Sequence, residues 1–215
     1  MAEQENVAEQ ENVEEQEKVS MKSKEKILVH KGMDRVKRKE FEEAIKLFDQ
    51  VLEMNAENAD AWNNKGVALY SMNRPEEALE AYDRALAADP ENMEALRNRA
   101  FVLRAMERFE EALETYERII YDEPESTDFR NLATVLVGMG RLEDALGALM
   151  DAANLEPSIS IEREIEVLRR VIMDIAIRTE FGGEFGPGDE TGAETETETE
   201  TGAGTGTGTD RPEEG

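Results

Sequence analysis

Hydrophobic and small residues recur at helical spacing through the middle of the chain, with two such patterns in each stretch of about 34 residues. In the stretch 59–92, Trp62, Gly66 and Leu69 lie on one face of a first predicted helix. Ala78 and Tyr82 lie on one face of a second predicted helix, which follows after a turn. This pattern predicts pairs of short amphipathic helices.

The helix pair is repeated four times in register. An alanine of the second helix recurs at spacings of 34, 34 and 33 residues, as Ala44, Ala78, Ala112 and Ala145. Four residues after it comes a large side chain, in turn Phe48, Tyr82, Tyr116 and Leu149. Twelve residues before it comes a small residue, in turn Gly32, Gly66, Ala100 and Ala133. One helix pair cannot bury its apolar face alone, so the four units, 25–58, 59–92, 93–125 and 126–159, are predicted to stack.

The best unit resembles the tetratricopeptide repeat family. It carries Trp62, Gly66, Leu69, Ala78, Tyr82 and Pro90 at the family's spacing, whereas Lys65 stands where leucine is usual. The resemblance implies an all-α fold, a right-handed superhelical solenoid of four helix-turn-helix units plus a C-terminal capping helix. It also implies a concave groove, lined by the first helix of each unit, that holds a peptide segment of a partner protein.

The residues of this groove follow from the resemblance. They are Asn63, Asn64, Tyr70, Arg97, Asn98, Phe101, Arg104, Arg130 and Asn131. Asn64, Asn98 and Asn131 occupy one equivalent position in three units, and an amide can pair with the N–H and C=O groups of any extended peptide. The three arginines are expected to bind carboxylates, which favours an acidic segment. The alternative is that these asparagines are ordinary solvated residues of the repeat.

A further helix is predicted over residues 160–179. Its apolar stripe consists of Ile161, Ile165, Leu168, Ile172 and Ile175 and is widened by Val167, Val171 and Ile177. A solenoid needs a terminal element over its last apolar face, so this helix is predicted to be a cap. The alternative is self-association through the same helix, which would make the protein a weak homo-oligomer instead of a monomer.

Both ends of the chain are acidic and poor in apolar residues. Residues 1–24 contain a six-residue repeat, which matches neither the period of an α-helix, about 3.6 residues, nor that of a coiled-coil seam, about 3.5 residues. This favours a solvated arm, transiently helical at most, over a coiled-coil strand. Met21 is an alternative start. Residues 180–215 are rich in Glu, Thr and Gly, which predicts a disordered tail. Its Glu194, Glu196, Glu198 and Glu200 could dock in the groove of the same chain, although a purely solubilising tail is the simpler interpretation.

The composition argues against most chemistry. The chain has 51 acidic and 25 basic residues, a formal net charge of −26, no cysteine and one histidine, His30. Disulfides, thiolate sites and multi-histidine metal sites are excluded, and no nucleophile stands with a base, so we expect no enzyme, cofactor or metal. The missing basic footprint argues against nucleic acid and anionic membranes. The acidic N-terminus and the absence of a long apolar run predict a cytoplasmic protein.

Overall fold

The computed structural model describes residues 2–181 of the 215-residue chain, with side chains described for residues 19–180. The described part is built from helices: α1 (Ala2–Lys37), α2 (Phe41–Met54), α3 (Ala59–Ser71), α4 (Pro75–Ala88), α5 (Met93–Ala105), α6 (Phe109–Asp122), α7 (Ser126–Gly138), α8 (Leu142–Leu155) and α9 (Ile159–Phe181). The described residues up to Ile175 form one compact unit, and the last residues of α9, from Ala176, belong to a second unit.

The helices pair as the repeat predicts. α1 packs on α2, α3 on α4, α5 on α6 and α7 on α8, and the second helix of each pair contacts the first helix of the next. The predicted all-α solenoid of four helix-turn-helix units is therefore confirmed. The predicted tail lies, from residue 182 onward, outside the described residues.

A close approach of the two helices occurs in each of the first two units. Gly66 of α3 lies so near Tyr82 of α4 that a Cβ atom at residue 66 would lie 2.5 Å from the tyrosine ring. Gly32 of α1 is placed in the same way against Phe48 of α2, whose ring a Cβ atom at residue 32 would overlap. The small residue and the large residue of the sequence pattern thus form one buried contact, which sets how closely the helices of a unit pack.

The turn inside each unit has the same backbone conformation. Lys39, Asn73, Glu107 and Gly140 occupy equivalent positions, and all have a positive φ between 58° and 75°. The next residue donates its N–H five residues back, as from Arg74 to the Leu69 carbonyl at 3.1 Å. This is the hydrogen bond of a helix end closed by a left-handed residue. Pro75 then opens α4, as its fixed φ favours.

The N-terminal arm is helical in the structure. α1 runs without interruption from Ala2 to Lys37, so residue 25 is not a break in secondary structure. Ala, Glu and Gln, which dominate residues 2–17, are strong helix formers, and no Gly or Pro stands before residue 32. The arm therefore extends the first helix of the first unit.

The predicted cap is confirmed for one face of α9. Ile161 and Leu168 are buried, and Ile165 and Ile172 pack against the apolar cluster of α7 and α8. The widening residues Val167, Val171 and Ile177 are exposed, and so is Ile175, the last residue of the predicted stripe, which lies beyond the contact with α7 and α8. The helix thus covers the end of the solenoid with one stripe and leaves a second apolar strip uncovered.

Candidate functional site

The first helices of units two to four present the predicted groove residues at equivalent positions. Asn64, Asn98 and Asn131 are each the sixth residue of their helix, in α3, α5 and α7, and all three are partly buried. Two of these amides already donate hydrogen bonds within the chain. Asn64 donates to the Asp60 carbonyl at 2.8 Å, and Asn98 donates to the Asn63 side chain at 2.9 Å.

Asn63 is a packing residue. Its side chain is 2% exposed, accepts the Asn98 amide, and lies 3.4 Å from the Glu94 carboxylate. The sequence predicts a groove residue here, whereas Asn63 lies on the side of α3 that faces α5, where its short amide fits the contact between successive units. Its amide is therefore not free to bind a peptide.

Arg97 is held by acidic residues of the next unit. Its guanidinium bonds both oxygens of the Asp128 carboxylate at 3.1–3.2 Å, the Glu123 carbonyl at 3.0 Å, and the Glu125 carboxylate at 2.9 Å. Burial lowers the pKa of Arg97, but Asp128 and Glu125 outweigh this and leave the pKa raised. The expected peptide-binding arginine instead connects α5 to α7.

Arg130 makes the corresponding connection one unit later. It bonds the Glu164 carboxylate of α9 through both Nε, at 3.2 Å, and a terminal nitrogen, at 2.5 Å. The hydrogen bond to Glu164 is the main cause of its raised pKa. The pair borders a small groove of about 340 Å³ that is lined also by Asn131, Thr134 and Thr127.

Arg104 differs from the other two predicted arginines. No carboxylate of the described residues lies within ion-pair distance of its guanidinium, whose carbon lies 5.2 Å from the centre of the Phe101 ring. The Phe101 side chain is 42% exposed and meets Tyr70 edge to face at 5.5 Å. Tyr70, Phe101 and Arg104 therefore form a continuous aromatic and cationic surface on α3 and α5, which we call the Arg104 cluster.

Two polar atoms at this cluster are buried and make no hydrogen bond of good geometry within the described residues. They are the Arg104 Nε and the Tyr116 hydroxyl of α6. Burial raises the pKa of the Tyr116 hydroxyl, and the adjoining Arg104 guanidinium offsets this only in part, through its charge and a weak hydrogen bond. The Arg104 guanidinium forms no ion pair with the described residues, so its charge is not neutralised by a carboxylate of the described chain.

Sequence comparison identifies the repeat. Two models of the tetratricopeptide repeat match the chain, one over residues 30–90 and the other over residues 69–136. The chain is a tetratricopeptide repeat protein. A comparison with curated proteins gives no significant match.

Solved structures show the same fold at low sequence identity. MamA 41-end from Desulfovibrio magneticus RS-1 is 19% identical, with a TM-score of 0.65 over 73% of this chain and 90% of that one. The Pseudomonas aeruginosa pilF structure is 24% identical, with a TM-score of 0.65 over 79% and 80%. YrrB, described as a TPR protein with an unusual peptide-binding site, is 20% identical, with a TM-score of 0.60 over 68% and 76%. These likenesses show the fold, a right-handed superhelical solenoid of helix pairs.

Three other properties bear on function. Tetratricopeptide repeat proteins are generally non-catalytic scaffolds. Across the part of the chain that the structure describes, no group of three or more His, Asp or Glu residues is placed to hold a metal ion. None of the helices within residues 2–181 combines the length and the apolarity that a membrane span requires.

A larger groove, which the sequence pattern did not predict, lies between α7 and α9. It has a volume of about 740 Å³ and is lined by residues of α7, α8 and α9. Val137 of α7 and Val167 and Val171 of α9 line it, with Leu149 and Leu168 also on its walls. A signal was present in the sequence, since Val167 and Val171 widen the stripe of α9 beyond what one capping contact can cover.

Removing the unpartnered hydroxyl of Tyr116 should not weaken this tetratricopeptide repeat protein. We expect Tyr116→Phe to raise the free energy of unfolding by up to about 1 kcal/mol, because the buried hydroxyl makes no hydrogen bond of good geometry within the described residues. Urea denaturation followed by circular dichroism measures this, with Tyr121→Phe as the control, since Tyr121 is 88% exposed. A clear loss of stability in Tyr116→Phe would show that the hydroxyl has a partner.

Proposed function

We propose that this protein is a non-catalytic scaffold that binds an extended acidic segment of a partner protein on its concave surface, at the Arg104 cluster. The single observation that carries the proposal is the Arg104 guanidinium, which is partly buried beside an exposed aromatic ring and lacks a carboxylate partner among the described residues. Arg97 and Arg130, by contrast, already form ion pairs within the chain, with Asp128 and Glu164 respectively.

The cluster suits an acidic side chain next to an apolar one. A carboxylate would accept charge-assisted hydrogen bonds from Arg104, and an apolar neighbour would pack on Phe101 and Tyr70. Asn131, further along the same row, would contact the peptide backbone through its amide. The acidic tail, which could compete for this surface, lies outside the described residues.

Arg104 offers a direct test because its guanidinium forms no ion pair with the described residues. We expect Arg104→Ala to weaken binding of acidic peptides about tenfold to a hundredfold, since a charge-assisted hydrogen bond contributes about 1.5–3 kcal/mol. A positional library of short unstructured peptides, read by fluorescence polarisation, measures the preference at each position. Native protein should select Asp or Glu next to an apolar residue, and Arg104→Glu should select Lys or Arg instead.

A matched control is Arg84→Ala, which removes the same charge from an exposed position on α4. It should retain the acidic preference in full. The proposal fails if native protein shows no acidic preference, or if Arg104→Ala keeps the preference of the native chain while its circular dichroism is unchanged.

A second candidate function is self-association through α9. The observation that favours it is the uncovered apolar strip of that helix, in which Val167 is 60% and Val171 41% exposed at the edge of the large groove. Sedimentation equilibrium of the full chain tests it, since a concentration-dependent dimer is expected and a monomer at every concentration contradicts it.

A further inference from the structure

The uncovered strip of α9 has the spacing of a helix-pairing seam. Ser160, Glu164, Val167, Val171 and Asp174 follow one another at intervals of four, three, four and three residues. A seam that repeats every 3.5 residues on average keeps the same side of a helix against a partner helix. The two valines form the centre of this seam, and its polar members stand towards its ends.

The seam and the groove belong to the same surface. Val167, Val171, Ser160 and Glu164 all line the groove between α7 and α9. Val137, which is exposed on α7, faces the groove from the other side. A helix lying along the seam would therefore place its side chains in the groove and bury the valines of α9.

A second α9 is the occupant that the charges favour. Arg163 lines the same groove and Asp174 ends the seam, and neither forms an ion pair within the described residues. If two copies of α9 pair in opposite directions with Val167 facing Val171, Arg163 of each copy comes beside Asp174 of the other. Pairing in the same direction would instead bring the two Asp174 carboxylates together, which is unfavourable.

The remaining charged group at this seam is Glu164. In the antiparallel arrangement it comes close to Asp174 of the second copy, but its own charge is already compensated by Arg130. Arg163 is the neighbouring residue on the same helix and supplies a positive charge to Asp174. The charges on all sides of the seam are thus consistent with the antiparallel arrangement.

We infer that two copies of this protein associate through an antiparallel pair of α9 helices, each laying Val167 and Val171 into the groove of the other. Such a contact is two-fold and self-complementary, because the helix that forms the wall of the groove also supplies the occupant. The inference rests on the second candidate function and adds the direction and register of the pairing. It leaves the Arg104 cluster, on α3 and α5, as a separate site.

The first experiment tests the seam in the full chain. Val167→Glu combined with Val171→Glu should abolish the dimer in sedimentation equilibrium. Met173→Glu is the matched control, because Met173 is 65% exposed but lies roughly 200° around the helix from Val171. The control should remain dimeric, and circular dichroism should show all variants helical. A dimer that survives the double substitution would overturn the inference.

The charge pair gives an independent measurement. Arg163→Asp and Asp174→Arg should each weaken the dimer at least several-fold, and the double variant should recover most of the affinity because the pair is restored in reverse. A merely structural role for either residue would not produce this recovery. The absence of recovery in the double variant, with native helicity, would contradict the predicted register.

The direction of pairing is tested by disulfide formation, which the cysteine-free sequence makes simple. A mixture of Val167→Cys and Val171→Cys chains should form the mixed disulfide faster than either chain forms a disulfide with itself. Faster self-linkage would overturn the antiparallel register while leaving self-association intact. A native chain that is monomeric throughout would overturn both, and would assign the groove to a segment of another protein.

Discussion

Replacing Arg97 with alanine is expected to lower the free energy of unfolding by about 2–3 kcal/mol, because it leaves a buried carboxylate without its cation. The Asp128 side chain is 3% exposed, and the guanidinium bonds both of its oxygens. Asp128 also accepts the Glu125 N–H at 3.0 Å at the start of α7. The substitution should therefore loosen the contact between units three and four as well as the start of α7.

Urea denaturation at neutral pH measures this effect. The control is Arg74→Ala, which removes an exposed arginine that pairs only with Glu77 one turn away and should leave the unfolding midpoint almost unchanged. If Arg97→Ala unfolds at the same urea concentration as the native chain, the Arg97–Asp128 contact does not join the two units in solution.

The arginines of the predicted groove are therefore not equally suitable for binding tests. Arg97 and Arg130 are poor choices for binding tests, since a loss of binding could come from a loosened solenoid. Arg104 is the better choice, because its guanidinium forms no ion pair with the described residues.

The fold could be predicted from the sequence because each unit is specified by local contacts that recur. Gly66 and Tyr82 lie 16 residues apart in the chain and meet directly in the structure. The small and the large residue of the pattern meet within a single unit, so four copies of the pattern predict four helix pairs with the same packing. The turn at Asn73 and the start of α4 at Pro75 follow from local chemistry in the same way.

The arginine contacts could not be predicted with the same ease because they join different units. Arg97 meets Asp128, 31 residues later, and Arg130 meets Glu164, 34 residues later. A helical pattern places each residue on the surface of its helix but does not say which charges of the next helix it reaches. The availability of Arg104 is likewise a property of the packed structure.

The C-terminal helix shows a related limit. The stripe of α9 predicted one contact, and the cap over α7 and α8 accounts for Ile161 and Leu168. Periodicity does not state how many partners a wide stripe has, so the uncovered part at Val167 and Val171 emerged only from the packed structure. The direction of a second contact depends on charges that flank the strip.

Replacing Gly66 with valine is expected to lower the free energy of unfolding by about 2–3 kcal/mol, because the added methyl groups overpack the contact with Tyr82. A Cβ at residue 66 already lies 2.5 Å from the ring, so the ring or the helix must move. The protein tolerates a single methyl at the equivalent Ala100, which is fully buried in unit three. Valine adds two methyl groups more than alanine does. Residue 66 is buried, and its neighbour Tyr82 belongs to the central apolar cluster.

The matched control is Gly147→Ala in α8, where nothing lies within 4 Å of the added Cβ. That substitution should raise the free energy of unfolding by up to about 1 kcal/mol, because alanine has the higher helix propensity. Combining Gly66→Val with Tyr82→Leu should recover part of the loss, since unit four already combines a small Ala133 with Leu149. If Gly66→Val raises the free energy of unfolding as Gly147→Ala does, the close approach of α3 and α4 does not limit the size of residue 66. The shared geometry of the four units would then lose its physical basis.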